Sequence, residues 1–91
     1  MKTAKYRIEI ENLETTMCQT LDISKKEYTR QLAFMRQQVK ETAANEYPVT
    51  ESEPRSYDHE GMTETVYQFN CGCSSTYLIA LECKEGYHFT K

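Results

Sequence analysis

The sequence predicts an α+β fold: an N-terminal β-hairpin, one long amphipathic helix and a C-terminal three-stranded antiparallel meander (ββαβββ), with the helix packed on one face of the sheet. Three observations carry this expectation. Apolar residues alternate with polar ones at 6–10 and again beyond residue 61, a helix-start signal at Ser24 opens a stripe of period 3.6, and 91 residues suffice for one two-layer core.

In the first strand Tyr6, Ile8 and Ile10 alternate with Arg7, Glu9 and Glu11, so one face is buried. A four-residue loop at 12–15 returns the chain as residues 16–21 and sets Ile10 opposite Met17 and Tyr6 opposite Leu21. Gln19 then falls opposite Ile8, the one polar residue in an apolar row. Ser24 with Glu27 three residues later spells a capping box, and Ile23 before it and Tyr28 after it form a hydrophobic staple. From there Tyr28, Leu32, Met35, Val39 and Ala43 recur at three or four residues, a single core-facing side of a helix running to about residue 44. Burying each large side chain yields roughly 1.5–3 kcal/mol, whereas ordering each backbone unit costs about 1–2 kcal/mol. The helix therefore needs a sheet against it.

Residues 45–61 hold two prolines, no apolar period and five carboxylates (Glu46, Glu51, Glu53, Asp58, Glu60) against the lone Arg55. This composition predicts a flexible acidic loop within a single domain spanning 1–91. Beyond it Thr63, Thr65, Tyr67, Phe69 and Cys71 share one side of a strand, and Tyr77, Ile79, Leu81 and Cys83 one side of the next. Pairing these odd-numbered sets requires a turn of three or five residues around Gly72 and Cys73. Lys84-Glu85-Gly86 then turns the chain so that Phe89 faces Leu81 and Tyr87 faces Cys83.

The net charge is −3, with 27% charged and 38% apolar residues. No basic cluster of the kind that holds phosphates is present, which argues against direct nucleic-acid binding. No apolar run is long enough to cross a membrane, and Met1 to Arg7 leads straight into strand pattern, so a cytoplasmic protein is expected.

Chemistry finds little support. Cys71-Gly72-Cys73 is tighter than the two-to-four-residue spacing of structural zinc pairs, and Cys83 falls at the far end of a strand, some 25–30 Å away at about 3.3 Å per residue. No phosphate loop or nucleophile elbow occurs, and His59 and His88 are isolated from each other in sequence. The expectation is a chain without enzymatic activity, cofactor or resident metal. A thiol-based metal or redox module using Cys71 and Cys73 stands as an alternative.

Two surfaces suggest interaction instead. Phe34 falls on the side of the helix away from the core stripe, with Arg30 and Gln37, and should meet solvent. With Glu51, Glu53, Tyr57, Asp58 and Glu60 of the acidic loop it forms the candidate partner-binding set, suited to another protein with a basic surface. An accessory or inhibitor protein of a phage or mobile element, occupying a nucleic-acid-binding groove on its target, fits that description. The even-numbered face of the meander, with Val66, Leu78 and Ala80, should lie open; it offers a rival reading as a self-associating subunit, so that monomer and homodimer both remain.

Overall fold

Residues 3–12, 16–43, 48–72, 74–87 and 89–90 are described by the computed structural model. In chain order they form β1 (Thr3–Ala4), β2 (Tyr6–Glu11), β3 (Thr16–Leu21), α1 (Lys25–Ala43), β4 (Val49–Glu51), β5 (Arg55–His59), β6 (Met62–Cys71), β7 (Ser74–Cys83) and β8 (Phe89–Thr90). The fold is α+β, with α1 against a six-stranded antiparallel sheet ordered β3-β2-β7-β6-β4, and β5 also on β6. The first hairpin thus joins the same sheet as the later strands.

The β2–β3 register sets Tyr6 opposite Leu21, Ile8 opposite Gln19 and Ile10 opposite Met17, as the alternation predicts. At the helix start the Glu27 N–H donates to Ser24 Oγ at 3.2 Å. The reciprocal half of the box is replaced, because the Glu27 carboxylate accepts instead from Arg30 at 2.6 Å. Tyr28 stacks on Tyr6 with ring centroids 4.0 Å apart, tying the first turn of α1 to β2. Burial, with Glu82 nearby, pushes the Tyr28 phenol well above its usual pKa.

β6 and β7 are joined by two residues, Gly72 and Cys73, with Cys71 opposite Ser74 and Met62 opposite Cys83. Gly72 has φ 59°, the left-handed conformation that the tight two-residue turns require. The expected turn of three or five residues is corrected, and with it the parity of β7. Tyr67 and Phe69 of β6 share the helix side with Leu78 and Ala80, while Tyr77, Ile79 and Leu81 turn to the opposite face. The core accordingly joins Tyr6, Ile8, Leu21, Tyr28, Val39, Phe69, Leu78 and Ala80, with Leu32 and Met35 packed at its border. Ala80 and the fully buried Leu78 are therefore not part of an exposed patch.

Two further corrections concern the strands flanking this core. Residues 49–51 and 55–59, expected as loop, pair with β6. The Ser52 N–H donates to the Gln68 C=O, and Arg55 stands opposite Val66. Two residues, Glu53 and Pro54, therefore face the single Tyr67, which makes β4 and β5 one edge strand broken by a bulge. The last strand does not add to β7, because β2 already occupies that edge of it. β8 instead pairs with β1, Ala4 opposite Phe89, and the Arg7 guanidinium sits 4.8 Å over the Phe89 ring. The chain does turn at Lys84–Tyr87, closed by the Tyr87 N–H on the Lys84 C=O, but the expected hairpin with Tyr87 against Cys83 and Phe89 against Leu81 is replaced by the β1–β8 pair.

Candidate protein-interaction site

A helix about 10 Å across spans roughly two strands spaced near 4.8 Å. α1 packs chiefly over β6 and β7, so the helix-side surface of β3 at Met17 and Gln19 lies beyond its cover, while Leu21 at the strand's end is buried in the core. Gln19 is exposed there, which removes the apparent conflict of a polar residue in an apolar row. Between this strand and the near flank of α1 runs a groove of about 490 Å³ lined by Gln19, Glu27, Arg30, Gln31, Phe34 and Met35.

Phe34 is 65% exposed on this flank, and Met17, on the same side of β3 as Gln19, is 50% exposed. The charged lip is internally neutral, since Arg30 holds both Glu27 carboxylate oxygens at 2.6 Å and draws that carboxyl below its usual pKa. What the groove offers a ligand is therefore apolar contact with a neutral polar border. Gln19 is absent from the candidate partner-binding set read from the sequence. The available signal was the mismatch of Gln19, which marks where the core-facing row runs out from under the helix.

The other expected partner-binding residues do not gather at this groove. Gln37 lies three residues on, roughly 60° back around the helix from Phe34, where it donates to Glu41 at 3.0 Å and lines a separate cleft of about 250 Å³. Glu51 lies in that cleft too, bound by Arg36 at 2.5 Å and Lys40 at 3.5 Å. The Arg36 hydrogen bond leads the effects that hold its carboxyl below the usual range. The guanidinium of Arg36 also lies 4.4 Å over the Tyr67 ring, so Glu51 is committed to fastening β4 to α1.

Strand alternation divides the remaining acidic set. Tyr57, 45% exposed, points to the sheet face away from α1, as do Arg55 and His59, whose Nε2 lies 2.8 Å from Glu64. Asp58 points to the helix side with its side chain 79% exposed, accepting from Thr63 Oγ1 at 3.1 Å. Glu53 and Glu60 are exposed. These residues belong to the sheet edge opposite β3, so Phe34 and the acidic segment form two surfaces and not one. Val66 stays on the face away from α1, between Arg55 and Ile79.

Cys18 is exposed on β3, Cys71 ends β6, and Cys83 ends β7 at the opposite end of the β6–β7 hairpin. Burial raises the Cys83 pKa. Cys73 and His88 lie outside the described residues. Among the described residues no group of three His, Cys, Asp or Glu stands within reach of one metal ion, and no helix is long and apolar enough to cross a membrane. Neither family models, curated proteins nor solved structures show a match to this chain.

Proposed function

We propose that this chain is a small, non-enzymatic protein-interaction module that engages a partner protein through the groove between α1 and β3. The observation that carries the reading is Phe34, a large aromatic side chain left 65% exposed on the wall of one apolar groove. Isolated exposed apolar residues are ordinary. One that lines a concave surface beside Met35, with the nearby Glu27 and Arg30 charges already paired, matches the buried-anchor and polar-rim arrangement of protein interfaces.

A partner that inserts apolar side chains here is one element of the reading. The exposed carboxylates Glu53, Asp58 and Glu60 on the far edge favour a second contact with a basic surface, the mode by which an accessory or inhibitor protein occupies a nucleic-acid-binding groove. The test is affinity capture from nuclease-treated host lysate with wild type, Phe34→Lys, and a Glu53→Lys/Asp58→Lys/Glu60→Lys triple variant. Loss of an anchor worth about 2 kcal/mol weakens binding some thirtyfold, so Phe34→Lys should release the specific partner. If Phe34→Lys recovers every protein at wild-type yield, the groove is not the binding site.

A further inference from the structure

The two outer edges of the sheet are built differently. On the β4–β5 side a bulge at Glu53 and Pro54 interrupts the strand, and Glu51, Arg55 and Asp58 place charges along it. Bulges, proline and charge are the devices that keep a sheet edge from accepting another strand. The β3 edge has none of them. Thr16-Met17-Cys18-Gln19-Thr20-Leu21 carries no charge and no proline, and runs without a break in register against β2.

Which backbone groups are available follows from one hydrogen bond. The Cys83 N–H donates to the Lys5 C=O at 2.8 Å, so odd-numbered residues of β2 bond β7 and even-numbered ones bond β3. Tyr6, Ile8 and Ile10 thus exchange hydrogen bonds with Leu21, Gln19 and Met17. The N–H and C=O groups of Thr16, Cys18 and Thr20 point away from the sheet. Among the described residues no strand pairs with them.

We propose that two copies of this chain pair antiparallel through β3, about a two-fold axis at Cys18, into one continuous sheet. This register engages every outward residue: Cys18 faces its own copy, and Thr16 faces Thr20 of the second copy in both directions, for about six ladder hydrogen bonds. On the helix side Met17 comes opposite Gln19 of the second copy, covering a methionine that is 50% exposed in the single chain. Because β3 is uncharged, the two-fold brings no like charges opposite one another. A second copy fits this edge because an uninterrupted antiparallel strand is complementary to itself, which satisfies both partners with one sequence. The pairing rests on the edge alone and stands whether or not the groove binds another protein.

The test combines sedimentation with amide exchange of the full chain under reducing conditions, up to millimolar concentration. Wild type should sediment as a dimer, and the Thr16, Cys18 and Thr20 amides should gain protection as concentration rises. Cys18→Pro removes an outward N–H without costing a bond to β2, and Cys18→Lys sets two ammonium groups face to face. Each should weaken dimerisation by about a hundredfold or more with the circular dichroism of wild type retained. If one variant misfolds, the other and the wild-type exchange pattern still decide. A chain that stays monomeric throughout overturns the proposal. So does a dimer that a folded variant leaves intact, or one whose protection appears at Ser56 and Asp58 instead.

Discussion

Replacing Leu78 by alanine, and separately Ile79 by alanine, tests the register on which the whole core depends. The two residues are neighbours on β7, but the two-residue β6–β7 turn sends Leu78 under α1, where it is fully buried, and Ile79 to the opposite, partly exposed face. Truncating a buried leucine costs the lost transfer free energy plus the cavity left behind, about 3–5 kcal/mol at a site flanked across the sheet by Ile10 and Tyr67 and belonging to the same core as Phe69 and Ile8. Ile79 forfeits only part of its apolar burial, about 1 kcal/mol. For a domain of this size a loss near 3 kcal/mol lowers the melting temperature by about 12–24 °C, a large share of the roughly 5–13 kcal/mol total expected from chain length. Urea unfolding followed by far-ultraviolet circular dichroism resolves the difference, with the slope checked so that the midpoints can be compared. An Ile79→Ala loss equal to or greater than that of Leu78→Ala would falsify the register and restore a turn of odd length.

Two other perturbations probe the attachments around this core. At Gly61, φ is 86° and an added Cβ would lie 2.5 Å from Tyr87 Cδ1, so Gly61→Ala should destabilise by about 1–2 kcal/mol from the backbone alone; adding Tyr87→Ala should recover only the clash, which chemical denaturation of the double variant measures. Glu51→Gln should cost about 0.5–1 kcal/mol at neutral pH, since its ion pair with Arg36 is partly exposed. Because the folded-state pKa of Glu51 is depressed, its contribution is present above the ordinary value of 4.5 and is lost as pH falls through the lower folded value. The stability gap between wild type and Glu51→Gln should therefore close in acid, and a gap independent of pH would rule out the ion pair as its source.

The hairpin register and the helix start were legible because each is written in local pattern: Tyr6, Ile8 and Ile10 present one apolar face, and Ser24 caps its own turn. β7 was harder because it sits in the middle of the sheet and is apolar on both sides, with Leu78 and Ala80 facing α1 and Tyr77, Ile79 and Leu81 facing away. A strand of that kind carries no parity signal. β4 and β5 escaped notice for the opposite reason. An edge strand with one neighbour and mostly exposed side chains has the composition of a loop, and the bulge at Glu53 and Pro54 breaks what alternation it has. The dispersal of the acidic set follows directly, since pairing against β6 sends Tyr57 to the face away from α1 while Glu51 and Asp58 point to the helix side, Glu51 bound by Arg36 and Lys40.

The interrupted strand at residues 49–59 has a consequence for how far assembly can proceed. A sheet with two bare margins adds chain after chain and grows into a fibre, as cross-β structures do. Here one margin is kinked and charged, so a pair joined at the other has no site left for a third member. Pairing through β3 would therefore stop at two chains, with the bulge at Glu53 and Pro54 as the terminus on either side.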